Sequence, residues 1–455
     1  MTQVCRSWRN VLLSTPTLWT QIDFSKSVNS RQAEGFLRRS GNKLLDVYQF
    51  FEDEDHVEPF LSTTLRNIHR LRSLKITSFL WHLERVLTQF ARSAPELKHL
   101  TISNDPNITD RDMKLHSTIF EGRLPKLTTL TLHNIRTNLR DFNFPSLTRF
   151  TFDTGTKTSV RDLTSFFERC PLLEFIQIDL DYMSPPPTAP PRRRAHLAAL
   201  RELRLNQAAC ITGLLDHLVL PKCTEMMLKG QFTDETVNQY GSPAAQLHPS
   251  SIDHLPVTRG ITKAVAMPNS CVLSGPNGTL RFWCFEGARR NFDADFFTSF
   301  SPISVLQITE LWVGQRTESH FWGKSEPWKQ TVAGVRGAFE VLTKVEDLTI
   351  VSCETEPFFT TLETTMNGGV LLPGLQRLTI YVGCGDSDVS PLIQSAKARK
   401  EHFRPLGEVT VVWEKDPGAD AMGEVESLRE FVGELIYRVG EAPKLSWKND
   451  DGDIW

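Results

Sequence analysis

Apolar residues recur along this chain in triplets, the second three positions after the first and the third two positions later, with polar residues between them. "PELKHLTIS" sets Leu97, Leu100 and Ile102 in this way, and "PKLTTLTLHN" repeats it with Leu127, Leu130 and Leu132. "PSLTRFTFD" gives Leu147, Phe150 and Phe152, and "PLLEFIQID" gives Leu173, Ile176 and Ile178. Leu71, Leu74 and Ile76 start the series; Leu200, Leu203 and Leu205, then Cys223, Met226 and Leu228, extend it. After a gap it returns at Val345, Leu348 and Ile350, at Leu375, Leu378 and Ile380, and at Leu406, Val409 and Val411. The last two members of each triplet stand two residues apart, so they share one face of an extended strand.

Between central members the steps in the first run are 26, 30, 20, 26, 27 and 23 residues, and in the second run 30 and 31. Internal periods of this size mark repeat architectures. The intervening segments carry helical stripes: Leu83, Val86, Leu87 and Phe90 in one, Val160, Leu163, Phe166 and Phe167 in another. A strand and a helix per repeat predict an α/β fold, a leucine-rich-repeat-like solenoid with a curved parallel sheet inside and helices outside. The repeats are degenerate, since the usual Asn or Cys three residues after the last strand leucine occurs only as Cys353. An ordinary α/β domain with parallel strands is the alternative, because short strand–helix alternation reads the same way.

The pattern divides the chain into residues 1–24, a repeat region 25–230, a β-rich continuation or insertion 231–344, and a C-terminal repeat region 345–455 with a terminal helix. Within 231–344, "CVLSGPNGTLRFWCF" predicts a hairpin around Pro-Asn-Gly and "VLQITELWV" a further strand. "PPPTAPPRRR" at 185–194 has five prolines and predicts a stiff exposed loop; its three arginines read as a solvated tip before they read as a nuclear-import patch. At the start, Val4, Trp8, Val11 and Leu12 fall on one helical face with Arg6 and Arg9 turned away, and Ser14 to Pro16 ends that helix. A helix this short needs a partner surface for its apolar stripe.

Composition narrows the function classes. Apolar residues are 40% and charged residues 23%, as in a folded protein, and the formal net charge of −3 supplies no electrostatic drive towards nucleic acid or an anionic membrane. No apolar run is long enough for a transmembrane helix, and the arginine-bearing N-terminus does not read as a signal peptide. The eight cysteines form no CxxC pair, which points to reduced, buried thiols in cytosol or nucleus and no metal.

Candidate chemistry is sparse. "FEDEDHVE" at 51–58 gathers carboxylates without the spacing or turn glycine of a calcium loop. "YVGCGDSDVSP" places Gly383 and Gly385 after a strand, but Asp388 would repel a pyrophosphate there; Ser390-Pro391 reads as an N-cap and first helical turn. No nucleophile elbow, phosphate loop or zinc-protease motif occurs, so neither enzyme nor cofactor is expected. The polar strand positions that alternate with the core form a candidate binding face for a protein target: His99, Thr131, Arg149, Thr151, Gln177, Glu202, Arg204, Arg377, Thr379 and Tyr381.

"VCRSWRNVLLSTPTLWTQIDF" resembles the second half of an F-box in the form carried by large families of mushroom-forming (basidiomycete-type) fungi. There the order is Val-Cys-Arg-x-Trp-Arg, then a small residue–Thr–Pro–x–Leu-Trp, then a first strand. Here those are Val4, Cys5, Arg6, Trp8 and Arg9, then Ser14, Thr15, Pro16, Leu18 and Trp19, then Ile22 and Asp23. That family's motif opens with a Leu-Pro-containing helix, and Met1 lies just before Val4, so the likeness is to a truncated F-box of about 20 residues followed by irregular leucine-rich repeats. The resemblance implies the substrate-recognition subunit of a cullin-type (SCF) ubiquitin ligase, cytoplasmic or nuclear, that performs no chemistry itself. It implies docking on the Skp1 adaptor and cullin through Val4, Cys5, Trp8, Leu12, Leu18 and Trp19, weakened by the missing helix, and target binding through the repeats. A repeat scaffold that binds proteins without the ubiquitin machinery is the alternative.

Overall fold

The computed structural model describes residues 5–24, 30–51, 57–78, 83–104, 114–115, 119–154, 158–180, 194–206, 214–231, 255–267, 270–285, 305–314, 332–352, 355–363, 365–366, 369–382, 389–413, 416 and 418–440. Cys353, the acidic stretch 52–56, the proline-rich stretch 185–193 and the 383–388 loop lie outside them. The chain is α/β with mostly parallel, unclosed sheet, and it divides into two compact units. The first is Met1–Leu228 with Asp253–Pro256; the second is Lys229–Ile252 with Val257–Trp455.

The first unit is a succession of parallel strands paired in chain order: β1 (Gln21–Asp23), β2 (Leu45–Phe51), β3 (Leu71–Ser78), β4 (His99–Asn104), β5 (Thr129–His133), β6 (Arg149–Thr154), β7 (Phe175–Leu180) and β8 (Glu202–Asn206). The triplets set their register. Val47, Leu74, Leu100, Leu130, Phe150, Ile176 and Leu203 are successive partners across the sheet, all buried. Strands β3 to β8 are each preceded by one turn design, in which an apolar residue accepts a hydrogen bond from the amide of the first triplet member three residues on. The bonds run from Leu97 to Ala94 (3.1 Å), Leu127 to Leu124 (3.2 Å), Leu147 to Phe144 (3.0 Å) and Leu173 to Cys170 (3.3 Å). Proline holds the second position in all four, where its fixed φ suits the turn.

The connections are less uniform than one helix per repeat. Helices α1 (Arg6–Ser14), α2 (Ser30–Ser40), α3 (Val57–Arg66), α4 (Leu83–Thr88) and α5 (Val160–Glu168) occur, but the described links between β4 and β6 are 3-10 turns at Ile119–Gly122 and Leu139–Asp141. The predicted stripes on α4 and α5 are buried throughout. Phenylalanine runs through the layer in helical and non-helical connections alike. Rings of Phe24, Phe60, Phe90 and Phe120 follow one another at 5.6, 6.2 and 5.4 Å between centroids, and Phe142, Phe144, Phe166 and Phe150 at 5.4, 6.4 and 4.8 Å.

The second unit holds β10 (Lys263–Met267), β11 (Ser270–Gly275), β12 (Gly278–Phe285), β13 (Glu310–Gly314), β14 (Asp347–Ser352), β15 (Arg377–Val382), β16 (Glu408–Trp413) and β17 (Glu434–Val439); β9 (Glu225–Gln231) carries the chain across the division. Strands β10, β11 and β12 pair antiparallel, with the predicted hairpin turning at Pro276-Asn277. Strand β10 also pairs with β13, from which β14, β15, β16 and β17 follow in parallel. Gly275 is required where it stands: a Cβ there would lie 2.3 Å from the Gly260 carbonyl oxygen. Helices α6 (Val332–Val341), α7 (Glu356–Glu363), α8 (Ser390–Glu401) and α9 (Gly418–Glu426) cross between strands, α6 packing on α7 and α7 on α8. Ser390 is not the N-cap read from sequence but the first helical residue. The cap position is Val389, which is buried and makes no side-chain cap bond.

Arginines tie one repeat to the one before. Arg399 of α8 is fully buried and donates to the carbonyls of Leu371 (2.8 Å) and Leu372 (3.0 Å). Arg169 donates to Phe142 (2.9 Å) and Leu139 (2.8 Å), and Arg70 to Lys43 (3.0 and 2.7 Å). Each bonds carbonyls of the preceding connection, of which those of Leu139 and Leu372 also accept a turn amide, from Phe142 (3.3 Å) and Leu375 (3.0 Å). Burial lowers the Arg399 pKa to about 10, with the charge of Arg404 adding to the effect, so the guanidinium is still charged at neutral pH.

Two outcomes are expected. Arg399→Ala removes two buried hydrogen bonds, leaving the Leu372 carbonyl only its bond from the Leu375 amide, and should lower unfolding stability by about 2–4 kcal/mol in denaturant titration; Arg399→Lys should not restore it, since one ammonium cannot span both oxygens as the fork does. Burial pushes the Cys170 and Cys223 thiols up to about 12, whereas Cys5 is exposed. At pH 8 a thiol reagent, mapped by peptide mass spectrometry, should therefore label Cys5 promptly and reach Cys170 and Cys223 only after denaturant is added.

Candidate functional site

Helix α1 buries none of its side chains. Trp8 is 61% exposed, Val11 52% and Leu13 45%, with Leu18 at 56% in the following 3-10 turn Pro16–Trp19. Val4 lies outside the described residues, Cys5 is exposed and Leu12 is half-buried. Trp19 behaves differently. Its indole Nε1 donates to the Leu12 carbonyl (2.8 Å), its ring lies 5.3 Å from Phe36 of α2, and the Arg39 guanidinium sits 4.7 Å from its centroid. Trp19 thus fastens the end of α1 onto α2, and Trp8 with Val11 faces away from any described contact surface.

The open face of the first unit presents the predicted polar positions in registered rows. His99, Thr129, Arg149, Phe175 and Glu202 make one row, and Lys75, Thr101, Thr131, Thr151, Gln177 and Arg204 the next. The structure therefore brings Arg149, Gln177, Glu202 and Arg204 together at the β6–β8 end, while His99 stands two strands from Arg149. The organising residue was missed from sequence: Phe175, a buried aromatic on the polar face. Arg149 lies 4.2 Å from its ring centroid and Arg204 5.2 Å, while Glu202 accepts from Arg204 Nε at 2.6 Å. Its signal was the extra apolar residue in "LLEFIQI", directly before the triplet pair. The third row sets His133 Nδ1 3.5 Å from Asp153, and Asn206 donates to Asp179 at 2.8 Å.

The second unit carries a shallow groove of about 330 Å³ on its open face. Thr349, Thr379 and Thr410, registered neighbours on β14, β15 and β16, form its floor. Trp312 closes one side and Ile436 the other, with Tyr381 and Arg438 towards the strand C-termini and Glu408 towards the N-termini. Glu408 accepts from Thr410 (3.2 Å) and Trp312 Nε1 donates to Glu310 (3.1 Å). Of the three residues expected here, Thr379 and Tyr381 line the groove, whereas Arg377 stands outside it, paired with Asp347 on the row below. Trp312 and Arg438 were not singled out from sequence, although β13 has the triplet spacing at Ile308, Leu311 and Val313, all buried.

Among the described residues no group of three or more His, Cys, Asp or Glu side chains is placed to hold a metal ion, and no helix is long and apolar enough to cross a membrane. No known protein-family profile and no curated protein matches the chain.

The two tryptophans separate by experiment. Trp19→Ala should release α1, raising amide hydrogen exchange across residues 6–14; Trp8→Ala, at a solvent-facing position, should change unfolding stability by less than about 0.5 kcal/mol.

Proposed function

We propose that the chain is the substrate-recognition subunit of a cullin-type SCF ubiquitin ligase and is not itself an enzyme. On this reading α1 docks on a Skp1-like adaptor, the strand-by-strand repeats form a leucine-rich-repeat-like solenoid, and their open faces hold a protein target in cytoplasm or nucleus. One observation carries it: α1 leaves Trp8, Val11 and Leu13 exposed, which a helix folded only for its own chain would bury. The order Val-Cys-Arg-x-Trp-Arg to Leu-Trp supplies the identity of the partner, by resemblance to an F-box. The registered polar rows interrupted by Phe175, Trp312 and Tyr381 suit a protein interface, where aromatic and arginine anchors concentrate binding energy.

The packing of Trp19 on Phe36 and Arg39 favours the second reading, a scaffold that binds proteins without the adaptor, because that residue of the motif already has an intramolecular role. Co-purification with Skp1 and cullin tests the two. The chain should capture Skp1, and Trp8→Glu should abolish the capture. Absence of capture would leave the scaffold.

A further inference from the structure

We propose that the groove of the second unit binds an extended protein segment carrying a cation, a bulky apolar residue and an anion at alternate positions. This deepens the reading above, resting on the repeat sheet as the target-recognition face, and concerns which target sequence it takes. The floor is three threonines, whose small side chains leave a depression between the larger Trp312 and Ile436, with room for one apolar side chain. The two ends differ in charge. The row at the strand N-termini runs Lys263, Glu310, Asp347, Arg377, Glu408 and Glu434, two cations against four carboxylates. Lys263 pairs with Glu310 and Arg377 with Asp347, leaving Glu408 and Glu434 as the surplus. Towards the C-termini the corresponding row is Gly314, Val351, Tyr381, Val412 and Arg438, whose single charge is Arg438, exposed and without an ion pair among the described residues.

The charged rows flank the threonine row at two residues on either side, so they stand about 13 Å apart at a strand's rise per residue. An extended segment laid along the strands has the same repeat: side chains at i, i+2 and i+4 point to one face across the same length. Its cation then meets Glu408, its central apolar side chain enters between Trp312 and Ile436, and its anion meets Arg438. Screening by the open solvent makes this a selectivity device more than a source of raw affinity.

Fluorescence polarisation with the full chain at low salt tests it, using labelled nonapeptides centred on Lys-Ser-Leu-Ser-Glu and controls with Lys or Glu at both charged positions. The mixed peptide should bind at least tenfold tighter than either control, with the difference shrinking in 0.5 M salt. Arg438→Glu should invert the order in favour of the doubly basic peptide, and Thr379→Trp, which fills the floor, should weaken all three at least tenfold while the far-ultraviolet circular dichroism melt is unchanged. Equal binding of the three peptides, no measurable binding of any, or an unchanged order in Arg438→Glu overturns the proposal. Skp1 capture does not involve the groove. Capture without peptide selectivity therefore sinks only the groove, and selectivity without capture sinks only the adaptor reading.

Discussion

The parallel sheet depends on a short hydrogen-bonded turn placed before β3 to β9, β14 and β15. In "APEL", "LPKL", "FPSL" and "CPLL" the residue before proline and the residue two after it are both buried, and an amide-to-carbonyl bond closes the turn between them. The next backbone amides then bond across to the preceding repeat: Thr128 to Lys98, Thr148 to Thr128, Glu174 to Thr148, all within 2.8–2.9 Å. Two anchors in the core and one bond to the neighbour fix where the strand begins. A slip of one residue would turn every apolar side chain to the open face, so this one constraint decides both what is buried and what is displayed.

With the strands pinned, the material between them is free to vary. The step from Leu130 to Phe150 is 20 residues against 30 before it, and a 3-10 turn occupies the described part of each connection. The missing helical side chains are replaced by Phe142 and Phe144, which pass the core on to Phe166. Arginines do the corresponding work for polar atoms. Arg70, Arg169 and Arg399 each reach back 27–30 residues to carbonyls of the preceding connection. Within each unit, large rings and guanidinium forks cover connections of unequal length, in place of a uniform helix layer.

This explains what could be read from the sequence. The triplets were legible because strand alternation has an invariant period, and Leu100, Leu130, Ile176, Leu378 and Val409 are all buried where the pattern puts them. The hairpin at Pro276-Asn277 was legible from its turn residues. Phe60 and Phe120 were not, since their contacts to Phe90, itself read as part of a helical stripe, join residues about 30 apart in separate connections. Nor was Phe175, which breaks the rule that apolar strand residues face the core. The polar face was legible as a list of positions but not as clusters, because which rows align depends on the register of neighbouring strands.

The N-terminal segment shows the same logic from the other side. Trp19 and Trp8 belong to one apolar stretch, and composition alone gives no reason to treat them differently. Trp19 follows a proline-initiated 3-10 turn that swings its ring onto Phe36 and directs its N–H to the Leu12 carbonyl, so it is consumed in fastening α1. Trp8 sits inside the nine-residue helix, held in place but touching nothing that hides it. A helix of this length has little stability of its own, so the Trp19 anchor is what keeps it formed while its apolar side remains open. The arrangement spends one tryptophan to present the other, and a preformed apolar helix loses less conformational entropy on binding than a disordered tail would.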